Sequence, residues 1–260
     1  MTRKFSGTAT AAAAFVSVVA SCTVTSAQTA LPSSLVYLRD VDATIAHDIR
    51  YATSNNFTGK PLPGYDAAEC VLTREAATAL RLVQADLAAS NRALKVYDCY
   101  RPERAARAMA QWSQDSKDSA ATKPFFPNID KRNLFALGYI ARVSRHSTGT
   151  AIDLTMIEKD AALTPAFDAA AGYGPCTGPA TARAPDNSVD MGTGYDCLDP
   201  RSHNNVDKLL PEQHQRRMAL VAAMRKRGFS NYFREWWHFT FAGGGAAQHY
   251  DVPIRPRSGR

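Results

Sequence analysis

Apolar residues recur at helical spacing through residues 73–90, at Ala76, Leu80, Val83 and Leu87, and Thr73 stands where an N-cap belongs. Residues 95–100 alternate like a strand and run into Arg101-Pro102; Pro102 suits the first turn of a helix continuing to about Gln114. A third helix fits residues 211–227, with Arg225, Lys226 and Arg227 in its last turn and Gly228 as its stop. Residues 151–156 and 236–241 read as buried strands. Residues 160–205 are rich in Gly, Pro, Asp and Asn and read as a long ordered loop. Helices mixed with short strands predict an α+β fold, with flanking helices on a mixed or antiparallel sheet. No repeat or low-complexity linker divides residues 28–260, so they form a single domain.

Composition supports one folded unit: 45% of the 260 residues are hydrophobic and 21% are charged. The net charge is +7 and scattered. A nucleic-acid binder concentrates its bases in a stripe, so no nucleic-acid partner is expected. The first residues change the picture more. Arg3 and Lys4 precede an uncharged Ala/Val-rich run and then small residues, the pattern of a secretory signal peptide over residues 1–27. Two cleavage readings stand side by side. Thr25-Ser26-Ala27 fits a site that releases a soluble chain from Gln28, whereas Val19-Ala20-Ser21-Cys22 fits a lipobox that would anchor the chain through a lipid on Cys22. Both readings export the protein to a periplasmic setting, and both leave Cys70, Cys99, Cys176 and Cys197 in the folded domain. An even count in an exported chain favours disulfides. Three pairings are possible; Cys70–Cys99 with Cys176–Cys197 is favoured because each pair flanks one continuous segment.

Three stretches carry chemistry. In Ser144-Arg145-His146-Ser147-Thr148-Gly149-Thr150-Ala151-Ile152-Asp153 a His and an Asp flank a polar turn that opens a strand. Imidazole nitrogen and carboxylate oxygen are ordinary zinc ligands. Gly149 lets the chain fold back and aim both inward. In Arg234-Glu235-Trp236-Trp237-His238-Phe239 a Glu and a His lie in an aromatic run, where an unpaired carboxylate is costly and a cation answers it. A local bend or a strand start is expected at Glu235. In Val96-Tyr97-Asp98-Cys99-Tyr100-Arg101-Pro102, Arg101 sits where a strand ends and can hold a carboxylate or a developing oxyanion. Together these predict one zinc ion on His146, Asp153 and His238, with a fourth position left for water whose pKa falls toward about 7. Glu235 is the expected general base and Arg101 the oxyanion stabiliser.

Further blocks recur in order: Tyr51-Ala52-Thr53, Asn56-Phe57-Thr58-Gly59-Lys60-Pro61, Gly64-Tyr65, Pro127-Asn128-Ile129-Asp130, Met191-Gly192, Tyr195-Asp196 and Arg201-Ser202-His203. With the three stretches above, they make residues 36–254 resemble the zinc D-alanyl-D-alanine dipeptidases, the type first associated with vancomycin resistance. These share a fold with zinc D-Ala-D-Ala carboxypeptidases and the Hedgehog domain. The resemblance implies the same zinc ligands, base and arginine. It further implies that Asp196, helped by Ser144, accepts the free ammonium of a D,D-dipeptide, with Tyr51 and Tyr65 lining the substrate pocket.

Two features depart from that pattern. The resistance enzymes act in the cytoplasm on newly made D-Ala-D-Ala, whereas this leader points outside, to turnover or salvage of cell-wall dipeptide. The stretch from Met156 to Met191 is also long and brings in Cys176, so a Cys176–Cys197 bridge would sit beside Asp196. Other readings on the same scaffold are a carboxypeptidase or endopeptidase acting on stem peptides, and a zinc-containing binding module without catalysis.

Overall fold

The computed structural model describes residues 1–4, 30–115, 119–243 and 248–257. From residue 5 onward the expected leader, Cys22 included, lies outside the described residues, and no described helix is long and apolar enough to cross a membrane. The chain runs β1 (Leu35–Tyr37), α1 (Leu38–Val41), β2 (Ala46–His47), β3 (Val71–Thr73), α2 (Arg74–Ala88), β4 (Arg92–Asp98), α3 (Glu103–Gln114), β5 (Ala151–Glu158), α4 (Pro211–Lys226), β6 (Phe229–Asn231) and β7 (His238–Phe241). Five strands form one sheet in the order β2-β4-β5-β7-β6; β2 joins β4 in parallel and the other pairings are antiparallel. β1 and β3 form a separate antiparallel ladder. This is the α+β, mixed-sheet domain expected from the pattern.

Local chemistry places the helices. Thr73 accepts the Ala76 N–H at 3.3 Å and starts α2, which buries Ala76, Ala77, Leu80, Val83 and Leu87 and lies against β4 and α4. Pro102 is the N-cap of α3, one position earlier than expected, and β4 stops at Asp98 rather than Tyr100. Gly228, at φ 86, ends α4. α4 also buries a charge: the Arg217 guanidinium donates to the carbonyls of Met191, Arg201 and His203 at 2.7–3.0 Å. A helix thereby pins the long irregular loop. The apolar run at residues 236–241 is a strand only from His238; Trp236 and Trp237 lie in a turn, where Trp236 Nε1 donates to Thr193 Oγ1 at 2.8 Å. Both expected disulfides form, Cys70–Cys99 and Cys176–Cys197.

Register creates the site. Asp153 of β5 pairs with His238 of β7 on one side and, past an irregularity between Val96 and Asp98, with Asp98 of β4 on the other. Three chemically active residues thus stand in one row across the sheet. The fourth, His146, reaches that row through the turn Arg145–Thr148, which Gly149 closes at φ 72. A Cβ on Gly149 would lie 2.6 Å from Leu35 Cδ2. We expect Gly149→Ala to lose at least about 1–2 kcal/mol of stability from the left-handed backbone alone, and more from the clash. Thermal melts read the loss, and an unchanged melting temperature refutes it.

Candidate metal centre and substrate pocket

Ser144 caps the turn by accepting the His146 N–H at 3.2 Å, and Gly149 turns the chain into β5. As a result His146 Nε2 lies 3.3 Å from Asp153 Oδ1, despite seven positions of sequence between them. The strand register brings His238 Nδ1 to 3.0 Å from the same oxygen, and the two ring nitrogens are 3.0 Å apart. His146 Nδ1 faces the Cys99 carbonyl at 2.7 Å. A carbonyl only accepts, so Nδ1 carries the proton and Nε2 presents its lone pair inward. The centre is therefore two imidazole nitrogens and a carboxylate oxygen converging on one point. That donor set fits a divalent zinc ion. The second Asp153 oxygen accepts the Tyr195 hydroxyl at 3.1 Å, which fixes the carboxylate's orientation. Burial works to raise the Asp153 carboxyl, but the two histidines outweigh it and hold the group well below the usual carboxylate range.

Glu235 sits in the expected bend: its N–H donates to Tyr232 O, and His238 N–H donates back to Glu235 O. The bend brings Glu235 Oε2 to 3.8 Å from His238 Nδ1. Burial, and then the Asp153 charge, push its carboxyl up to about 8. Such a group holds a proton more tightly than an ordinary carboxylate.

Arg101 lies beside the triad, one terminal nitrogen 3.6 Å from Asp153 Oδ2. Its Nε and one terminal nitrogen both reach Asp98 Oδ2, at 2.9 and 2.8 Å, and its guanidinium lies 5.0 Å over the Tyr51 ring. The other oxygen of the fully buried Asp98 accepts the Tyr65 hydroxyl at 2.5 Å. Tyr65 therefore stands behind Arg101, while Tyr51 forms pocket wall. The Tyr51 hydroxyl donates to Asp196 Oδ2 at 2.9 Å. Asp196 is one of two non-glycine residues with positive φ among those described, at 54°. Burial, and then the Asp153 charge, raise its carboxyl well above the usual range, so a cationic partner there is favoured. The pocket, about 260 Å³, is bounded by Tyr51, Arg101, Ser144, Asp196, Glu235 and the triad His146, Asp153 and His238. That volume lies at the small end for ligand sites and suits a compact ligand.

Every site residue expected from the sequence converges here except Tyr65, which is one layer back. Two contributors had been given no role. Asp98 carried a readable signal: like Glu235, it is an acid within an apolar, aromatic strand. Tyr195 carried none, since its hydroxyl contact to Asp153 comes from the irregular loop. Its ring stacks on Tyr97 at 4.2 Å and packs edge-on to Trp237.

A family model described as D-ala-D-ala dipeptidase matches residues 32–166 and 181–255. The chain is 32% identical over 209 residues to the D-alanyl-D-alanine dipeptidase of Enterococcus faecalis, covering 80% of this chain and 92% of that one. It is 31% identical over 220 residues to the enzyme of that name from Enterococcus faecium, covering 84% and 97%. A relative so named from Streptomyces coelicolor is 32% identical over 210 residues, covering 81% and 92%.

Proposed function

The chain belongs to the D-ala-D-ala dipeptidase family of peptidases, and from that premise we propose that it is a zinc-dependent dipeptidase that hydrolyses D-Ala-D-Ala to free D-alanine outside the cytoplasm. The observation that carries the reading is one pocket lined by His146, Asp153 and His238, whose ligand atoms converge, together with Glu235 and Asp196. Zinc, when bound by that triad, supplies Lewis acidity toward the scissile carbonyl and toward water. Glu235 takes the proton of the attacking water as the new C–O bond forms. It then delivers that proton to the leaving nitrogen as the C–N bond breaks. Arg101, held by Asp98, donates to the carbonyl oxygen as it becomes negative. Asp196 accepts the dipeptide's ammonium, oriented by the Tyr51 hydroxyl.

Asp196 also sets specificity. In a longer peptide the equivalent nitrogen is a neutral amide, which leaves a buried carboxylate without its cation. Asp196→Ala is expected to raise KM for D-Ala-D-Ala by about 10–100-fold, the worth of a hydrogen bond to a charged group, with a smaller change in kcat. Steady-state kinetics read the split, and unchanged constants remove the role.

The leader pattern and two disulfides support an oxidising compartment and a role in cell-wall dipeptide turnover or salvage. The mass of the mature N-terminus separates the soluble form from the form lipidated at Cys22. The deciding assay is a panel of D- and L-dipeptides and one stem peptide, with and without chelator. Release of D-alanine from D-Ala-D-Ala is expected, with loss of activity under chelation and return on adding zinc. Metal-loaded protein that leaves the dipeptide intact overturns the proposal. Preferential cleavage of the stem peptide reassigns the site to a carboxypeptidase or endopeptidase.

A further inference from the structure

The match to the family breaks at residues 167–180. The break contains Cys176, and Cys176 is bonded to Cys197, the neighbour of Asp196. Backbone hydrogen bonds tie the same stretch. Gly194 donates to Cys176 O at 2.9 Å, Leu198 donates to Phe125 O at 2.8 Å, and Cys176 donates to Pro124 O at 2.8 Å. Asp196 therefore lies in a short span fixed at 194, 197 and 198, and one of these fixings is covalent.

That span needs fixing. Asp196 holds a left-handed backbone, which a non-glycine residue keeps only where its surroundings dictate it. Packing beneath the added segment is thin. A cavity of about 300 Å³ is lined by its Phe167 and Tyr173 together with Phe125 and Tyr195, and residues 168–172 are exposed. The carboxylate itself has one side-chain partner among the described residues, the Tyr51 hydroxyl. Tyr195, by contrast, is held by its stack on Tyr97 and its contact with Trp237, neither of which involves the bridge. Loosening the segment therefore reaches Asp196 before it reaches Asp153.

We propose that the Cys176–Cys197 bridge is a positioning device for Asp196: by clamping the added segment onto the Asp196 loop it sets affinity and selectivity for the free ammonium of the dipeptide. This rests on the dipeptidase reading above.

The test is the Cys176→Ser/Cys197→Ser double variant of the full chain, assayed on D-Ala-D-Ala and on N-acetyl-D-Ala-D-Ala. We expect KM for the free dipeptide to rise about tenfold with kcat held within about twofold, as displacement of a binding group predicts. Zinc content stays at the wild-type level, and the preference for the free amine over the acetylated substrate narrows. KM and selectivity equal to wild type overturn the proposal, as does a fall in kcat with KM unchanged. Should the double variant fail to fold, Arg183→Ala decides in its place. Arg183 Nε donates to Gly178 O at 2.7 Å, tying the same segment without touching a cysteine. The same outcomes apply to it, with a smaller rise in KM expected. A wild type that leaves D-Ala-D-Ala intact overturns the dipeptidase reading and this inference together. A wild type that cleaves it beside variants that behave identically overturns this inference alone.

Discussion

Glu235→Gln is expected to lower kcat for D-Ala-D-Ala by about 10²–10⁴-fold, the usual contribution of a positioned general base. The substitution keeps the side chain's shape and removes its basicity. Glu235 is not among the three converging donors, so zinc stoichiometry should be unchanged, which separates loss of the base from loss of the metal. KM should move little, because the ammonium contact proposed above is made by Asp196 and not by Glu235. The size of the effect follows from the environment. Burial and the nearby Asp153 charge already make the Glu235 carboxyl a stronger base than an ordinary carboxylate, and an amide cannot replace it. Wild-type turnover in Glu235→Gln, measured on protein with confirmed zinc content, removes Glu235 from the mechanism and favours a different base or a non-catalytic module.

Much of this site was readable because its signals are local. A Ser-initiated turn, a glycine that must fold back and an apolar strand put His146 and Asp153 together within ten residues of sequence. A carboxylate among tryptophans announced Glu235 by its cost. The caps on α2 and α4 and the cysteine pairing were equally local. What was hidden depends on pairing between distant strands. Nothing in residues 92–98 says that β4 shifts register between Val96 and Asp98, yet that shift sets Asp98 opposite Asp153. The parallel seat of β2 at the sheet edge is likewise a property of the whole sheet. Residues 236–237 misread as strand because a buried aromatic pair has the same composition whether ladder hydrogen bonds or a turn put it inside. Tyr195 was hidden for a related reason: a loop spanning residues 159–210 has no periodicity from which a contact could be read.

Asp98→Asn is expected to be the most damaging change outside the His146, Asp153 and His238 triad and Glu235. Asp98 is fully buried, and its carboxylate answers the Arg101 guanidinium twice through one oxygen while the other takes the Tyr65 hydroxyl. An amide oxygen can accept on one of these two sides only, and it carries no charge. Arg101, with a side chain only 13% exposed, would be left as a nearly buried cation whose remaining carboxylate contact is Asp153 at 3.6 Å. Removing one partner of a buried pair costs about 3–5 kcal/mol, and urea unfolding should show a loss of that order. Activity should fall with it, because an arginine drawn toward Asp153 leaves the oxyanion position proposed for it and competes for the carboxylate proposed to hold zinc. The decisive comparison is a double-mutant cycle with Arg101→Met. If Asp98 acts by holding Arg101, the two activity losses will be strongly non-additive, with the double variant hardly worse than Arg101→Met alone. Additive losses would place the work of Asp98 elsewhere, nearest at hand in its 3.4 Å approach to His146 Nδ1, and zinc affinity would then be the quantity that falls.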